Sequence, residues 1–313
     1  MLSCCGSAPD WRRIPLTLDR VRHEHPDPAR RRLYSRAILI ACVGNILLAG
    51  AKGAGAWLSG STAVLSDAMN SLSDALYSLL MAAGLRLAQQ PADDSHPQGH
   101  SRFEPVVGLL VALAMGGAGF AAMREGVMRF ASGAGEITPG WPTIVLLGSA
   151  IVKLVMYVDV RRIGLAAGSP AIRATARDNL ADVVTSMTAL LGVWASRLIH
   201  PLLDPAAAIA VSLWVFRAAW AVGYENLGYL TGKGAPPDLI TKIAAVASSV
   251  DGVINVHQVV ADHVGPQLRV DMHVDVDPGI LLREAHAITD RVQAQLETLP
   301  EVDLAFVHVE PAH

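Results

Sequence analysis

Six long apolar runs occupy most of the first 230 residues and restrict the fold more than any other feature of the chain. The runs cover residues 37–58, 63–88, 105–128, 141–160, 179–199 and 204–230. Each is close to the roughly 20 residues that an α-helix needs to cross a bilayer. Charged residues make up only 17% of the chain, against about 25% in an average soluble domain. The sequence therefore predicts a membrane α-helical bundle of six transmembrane helices.

The character of the chain changes after the sixth run. Two helical stretches, "PPDLITKIAAVASSV" and "LLREAHAITDRVQAQLETL", alternate with three stretches typical of strands, "GVINVHQVVADHV", "PQLRVDMHVDVDP" and "VDLAFVHVEP". The period-two alternation of apolar residues favours strands, and the amphipathic pattern favours helices. The order αββαβ predicts a small α+β domain with its helices on one face of a three-stranded sheet.

These patterns divide the chain into three parts. Residues 1–32, rich in Arg and Pro, are predicted to be a flexible cytoplasmic segment, residues 33–232 the six-helix transmembrane domain, and residues 233–313 the cytoplasmic domain. Before, between and at the ends of the apolar runs, and as far as Lys233, 15 Lys and Arg residues fall on one side of the predicted bundle and three on the other. Basic residues favour the cytoplasmic side, so both termini are predicted to face the cytoplasm. The net charge of −3 does not suggest a nucleic-acid partner.

Acidic and amide side chains stand within two of the apolar runs. Asn70 and Asp74 are four residues apart in the second run, and Asp178 and Asp182 are four apart in the fifth. Residues at i and i+4 lie on the same face of a helix, so two facing helices would bring four oxygen-bearing side chains together. Asp67, one turn before Asn70, is a candidate for a water-filled vestibule.

Such residues are costly in a membrane. A central Asp costs about 2.5–3.5 kcal/mol on insertion scales, so three cost roughly 7–10 kcal/mol. A bound divalent cation would offset this cost. The alternative is an internal ion-pair network with Lys52 or Lys153, the two lysines within the apolar runs, and Asp159 is a possible partner for Lys153. The duplicated four-residue spacing favours the metal site.

The chain resembles the cation diffusion facilitator family of divalent-metal/proton antiporters from about residue 33 to residue 310. The segment "NILLAGAKGAGAWLSGSTAVLSDAMNSLSDAL" is similar to the first and second helices of that family. The resemblance implies a metal transport site formed by two residues of the second helix and two of the fifth. These residues map to Asn70, Asp74, Asp178 and Asp182.

The fifth-helix motif departs from the zinc-transporting members of the family, which carry HxxxD where this chain has Asp178 and Asp182 as DxxxD. Zinc favours imidazole and thiolate ligands, whereas manganese suits carboxylate, carbonyl and water. The chain also resembles the manganese branch of the family, which carries DxxxD on the fifth helix. Manganese is the expected substrate, iron the next, and zinc or cobalt export the alternative within the same family.

Two further metal sites are implied by the resemblance. The loop "PADDSHPQGHSRFEP" matches a peripheral site of the family at Asp93, His96 and His100, although a solvated loop would explain the same residues. The tail matches a cytoplasmic site that supports a homodimer, and this metal site is favoured over the alternative of surface histidines on a small sheet. Its candidate ligands are His257, His273, His286, His308 and Glu310.

The expected function is therefore export of a divalent cation through the plasma (inner) membrane in exchange for protons. Three neighbouring carboxylates would share protons when the site is empty, and metal binding would expel them. One rival function is a membrane sensor or scaffold that binds metal without moving it. A membrane enzyme is not favoured, because the sequence contains no HExxH, GxSxG or phosphate-binding glycine motif.

Overall fold

A computed structural model describes residues 28–59, 62–132, 141–200 and 202–312. Six long helices are followed by a small domain in the order α7-β1-β2-α8-β3. The helices of the bundle are α1 (Pro28–Ser59), α2 (Thr62–Ala88), α3 (Phe103–Ser132), α4 (Trp141–Ala166), α5 (Pro170–Leu198) and α6 (Leu203–Leu230). The elements of the small domain are α7 (Pro237–Ser248), β1 (Asn255–Val264), β2 (Gln267–Val276), α8 (Leu282–Leu296) and β3 (Val302–Pro311).

Each predicted apolar run overlaps one long helix. Within the described residues, three helical segments are long and apolar enough to cross a membrane: Pro28–Ala54, Phe103–Ser132 and Pro205–Leu230. The count of six spans therefore stays a prediction. Of the N-terminal segment predicted to be flexible, residues 1–27 lie outside the described residues, and residues 28–32 form the start of α1.

Large apolar side chains are exposed on the outside of the bundle. Examples from five helices are Leu47, Leu113, Phe120, Ile151, Leu191 and Trp220. Apolar residues on the surface of a bundle are expected where the surrounding solvent is lipid. This surface supports the assignment of the bundle to the membrane.

A short turn joins α4 to α5, the two helices that carry most of the charged residues near the centre of the bundle. Gly168 adopts φ +62° in this turn, a conformation that glycine adopts at little cost. The Ser169 hydroxyl then accepts a hydrogen bond of 3.1 Å from the backbone N–H of Ile172, and Pro170 occupies the first turn of α5. This cap begins α5 directly after α4, so the two helices pack against each other.

The small domain has the predicted αββαβ order. Its sheet has the order β1-β2-β3, with β2 antiparallel to β1 and parallel to β3. Alternate residues of β2 are buried, and they share one apolar core with residues of α7 and α8, including Ile243, Val292 and Leu296. The helices therefore cover one face of the sheet, and the other face carries His273 and Asp275.

The turn between β1 and β2 docks on the transmembrane bundle. Gly265 of this turn has φ +71° and lies directly against Ser101 of the α2–α3 loop. A Cβ atom added to Gly265 would lie only 2.7 Å from the backbone oxygen of Ser101. The Ser101 hydroxyl donates to the backbone oxygen of Val264 at 3.4 Å. Arg30 of α1 donates to the side chain of Gln267. The hairpin thus contacts two separate parts of the bundle.

We expect Gly265→Ala to weaken this docking. The left-handed conformation costs about 1–2 kcal/mol for a residue with a Cβ, and the new methyl group would also overlap Ser101. Thermal unfolding of the detergent-solubilised chain should show a lower midpoint. Gly234→Ala is the matched control, because its added Cβ would lie 3.8 Å from the nearest atom, a backbone oxygen. Equal midpoints for the two variants would contradict the docking.

Candidate metal sites

The acidic residues of α2 and α5 converge on one lysine of α4. The Nζ of Lys153 donates to Oδ2 of Asp182 at 2.6 Å and to Oδ2 of Asp74 at 3.2 Å. Lys153 is only 4% exposed, whereas the side chains of Asp74 and Asp182 are 28% and 29% exposed. The two aspartates point toward the same position, as a site shared between α2 and α5 requires.

The third aspartate completes the cluster. Asp178 lies one turn before Asp182 on the same face of α5, and it interacts electrostatically with Asp74, Asp182 and Lys153. Asn70 lies in α2 one turn before Asp74, and Asp67 lies in the same helix. The side chains of Asn70 and Asp67 are outside the part of the chain that the structure describes. The vestibule role of Asp67 and the ligand role of Asn70 therefore stay predictions.

The internal ion pair considered from the sequence is present, but with different partners. Lys153 pairs with Asp74 and Asp182 rather than with Asp159, which lies further along α4. The ion pair does not rule out a metal site, because the same carboxylate oxygens can bind an ammonium at one time and a metal ion at another. Lys153 is thus a residue of the site that the sequence analysis treated only as an alternative explanation.

Contacts from neighbouring helices position the cluster. Ser78, one turn after Asp74, donates to the backbone oxygen of Asp74 at 2.9 Å and accepts from the Asn45 amide of α1 at 2.6 Å. On α5, Arg173 and Arg177 donate to the two oxygens of Glu225 of α6, at 2.9 and 2.6 Å. These bonds restrict the rotation of α2 and α5 about their axes, which directs the aspartates toward Lys153.

A buried carboxylate that the sequence analysis missed joins three helices near the start of α3. Glu104, 2% exposed, accepts from the Tyr34 hydroxyl at 2.5 Å and from the Ser169 hydroxyl. Its partners belong to α1 and to the cap of α5. The only signal in the sequence is an acid at the start of an apolar run, which is also the usual position for a residue that stabilises a helix N-terminus.

The three predicted ligands of the α2–α3 loop lie together. Ligand atoms of Asp93, His96 and His100 all lie within 4.8 Å of one another. The carboxyl of Asp93 accepts hydrogen bonds from the Ser95 hydroxyl and from the backbone N–H groups of His96 and Ser95. These bonds hold the pKa of Asp93 below its usual value. A carboxylate that stays ionised is suited to bind a metal cation. His100 is itself positioned by a 3.0 Å hydrogen bond between Nδ1 and the backbone oxygen of Pro91.

The cytoplasmic cluster contains most of its predicted ligands. Ligand atoms of His257, His273 and Glu310 lie within 4.8 Å of one another. His273 of β2 lies opposite His308 of β3. Glu310 is two residues further along β3, so it lies on the same face as His308. His308 approaches Glu310 at 3.6 Å. The sequence analysis missed Asp275, whose Oδ1 lies 3.1 Å from Nδ1 of His257. Its position two residues after His273 in a strand would have placed it on the same face.

One predicted ligand of the cytoplasmic cluster lies elsewhere. His286 is exposed on α8 and approaches Asp290 at 3.6 Å, one turn away on the same helix. The helices cover the face of the sheet opposite to His273. Within the described single chain, His286 is therefore not brought to the cluster.

Comparison with known proteins gives the family. The cation efflux transmembrane domain matches residues 38–231, and the cytoplasmic domain of cation efflux proteins matches residues 235–312. The chain belongs to the cation efflux family, which is a family of membrane transporters and not of enzymes.

Three relatives indicate the breadth of that family. An uncharacterised transporter of Methanocaldococcus jannaschii is 32% identical over 89% of this chain and 99% of its own length. Metal tolerance protein C1 of Arabidopsis thaliana is 30% identical over 87% of this chain and 61% of its own. The manganese efflux system protein MneS of Bacillus subtilis is 25% identical over 87% of this chain and 94% of its own.

Proposed function

We propose that the chain exports a divalent metal cation, manganese in the first place, through a site formed by Asn70, Asp74, Asp178 and Asp182. The observation that carries this proposal is the convergence of Asp74 and Asp182, from two separate helices, on one buried position. Three carboxylates inside an apolar bundle need more positive charge than the one that Lys153 supplies, and a transporter would provide it as a divalent cation from the cytoplasm. A sensor would have no need to place its ligands at this depth.

The preference for manganese follows from the donor atoms. All four proposed ligands offer oxygen, which suits manganese better than zinc. MneS, named as a manganese efflux protein, is among the relatives. Iron(II), which stands beside manganese in the affinity order, is the next substrate to assay.

Protons are the proposed counter-ion. Carboxylates bind metal in their ionised form, so a metal ion that enters the site displaces bound protons. Alternating exposure of the site to the two sides of the membrane would then couple metal export to proton entry. Lys153 already supplies one positive charge to the three aspartates, so it reduces the number of protons that the empty site needs.

Proteoliposomes containing the full chain can test this coupling. We expect the initial rate of Mn²⁺ uptake to rise when the proton gradient is directed out of the vesicle and to fall when it is reversed. Vesicles without protein provide the leak rate. Equal uptake rates under the two gradients would contradict proton exchange, and uptake at the leak rate under both would contradict transport.

The remaining proposals concern the organisation of the protein. Residues 33–232 would span the plasma membrane six times with both termini in the cytoplasm, and residues 233–313 would support a homodimer. The loop site and the cytoplasmic site would bind metal that is not transported. Light scattering of the detergent-solubilised chain should give the mass of two chains, and the mass of one chain would contradict the homodimer.

A further inference from the structure

Lys153 occupies the position between the two aspartates that a metal ion would need. Its ammonium lies within hydrogen-bond distance of one oxygen from Asp74 and one from Asp182. An ammonium and a divalent cation bind carboxylate oxygens through the same electrostatic attraction, and they repel each other at short range. Both therefore cannot lie between Asp74 and Asp182 at once.

We propose that Lys153 is a tethered competitor of the transported metal, which fills the empty site and is displaced when a divalent cation binds. This inference rests on the proposed transport site. Lys153 is a positioning and specificity residue in this scheme, since it acts on the metal through Asp74 and Asp182. The scheme requires only that its charge moves away from the two carboxylates.

The tether explains two properties that a transporter needs. First, a buried cluster of acids without a counter-ion would be strongly destabilising, and the ammonium stabilises the empty site between transport cycles.

Second, a lysine attached to the neighbouring helix has a high effective concentration at the site. A monovalent ion brings no more charge than the ammonium that it must replace, whereas a divalent ion brings twice as much. The site should therefore discriminate against Na⁺ and K⁺.

Removal of the charge tests the competition directly. Mn²⁺ binding to the full chain in detergent is measured by calorimetry at one fixed pH for the wild type, Lys153→Gln and Lys153→Arg. We expect Lys153→Gln to bind Mn²⁺ at least about tenfold more tightly, and Na⁺ to become an effective competitor. Lys153→Arg keeps the charge and should bind within about threefold of the wild type. Unchanged or weaker binding by Lys153→Gln would overturn the inference.

Thermal unfolding shows whether the Lys153→Gln variant is folded, and it measures metal binding in a second way. Without metal, Lys153→Gln should unfold at a lower temperature than the wild type, and Mn²⁺ should raise its midpoint by more than it raises that of the wild type. A smaller rise would count against the competition. The same pair of measurements on Lys153→Met, which removes the charge but keeps an unbranched side chain and leaves both aspartates in place, covers the case in which Lys153→Gln does not fold.

An Asp182→Asn variant separates this inference from the proposed function. If Asp182→Asn abolishes Mn²⁺ binding while Lys153→Gln binds no more tightly than the wild type, the proposed competition by Lys153 is wrong, but the transport site is not. If binding is the same with and without the Asp182 carboxylate, the transport-site assignment is wrong, and the competition at that site is overturned with it.

Discussion

Asp182→Asn should lower the initial rate of Mn²⁺ transport by at least about 100-fold. Loss of a residue that only hydrogen-bonds a metal ligand typically lowers metal affinity or activity by about 10–100-fold, and loss of a ligand itself should cost at least as much. The substitution keeps the shape of the side chain but removes the negative charge of a proposed ligand, and it weakens the shorter of the two bonds of Lys153, 2.6 Å, because an amide oxygen is a weaker acceptor than a carboxylate. The measurement is Mn²⁺ uptake into proteoliposomes that contain equal amounts of folded protein.

Asp159→Asn is the matched control for this variant. Asp159 is a half-buried acid of α4 in the same bundle, but Lys153 pairs with Asp74 and Asp182 instead. The control should transport at the wild-type rate. If Asp182→Asn transported Mn²⁺ at a rate within about twofold of the wild type, the assignment of Asp182 to the transport site would be wrong.

Asp178→His should change which metal is transported. The substitution introduces one imidazole nitrogen into a site that otherwise offers oxygen, and imidazole suits zinc better than manganese. We expect the ratio of zinc to manganese transport to rise by about tenfold, which corresponds to about 1.4 kcal/mol. The measurement is uptake of each metal, supplied separately at the same free concentration.

Asp159→His controls for a new histidine in the bundle, and it should leave the metal ratio unchanged. If Asp178→His left the ratio as it is, or moved it toward manganese, residue 178 would not be a ligand that selects the metal. Transport by neither variant nor wild type would instead contradict the proposed function as a whole.

Patterns within one element were predictable from the sequence. The alternation in "LRVDMHVDV" predicted β2 and its buried face, because strand residues alternate between faces. The four-residue spacing of Asp178 and Asp182 predicted that both lie on one face of a helix. These inferences need only the geometry of a helix or a strand.

Relations between distant elements were not predictable in the same way. Lys153 and Asp159 are six residues apart in α4, so helix geometry alone places them about 120° apart around the axis. Whether Lys153 faces the aspartates of α2 and α5 depends on the rotation of α4 against its neighbours, which no spacing within α4 specifies. His286 was grouped with the tail histidines by resemblance, but it lies on α8, on the other side of the sheet from His273. Only tertiary packing decides such neighbours.

The docked hairpin constrains how the cytoplasmic domain can move. The domain is attached covalently through the short segment between α6 and α7, and it is attached a second time where Gly265 meets Ser101. A body fixed at one point can swivel freely, and a body fixed at two can tilt about the line that joins them, but the Arg30–Gln267 contact adds a third point that opposes this tilt. Because Ser101 follows His100 directly in the chain, any swivel of the sheet must first pull on the loop that carries Asp93, His96 and His100.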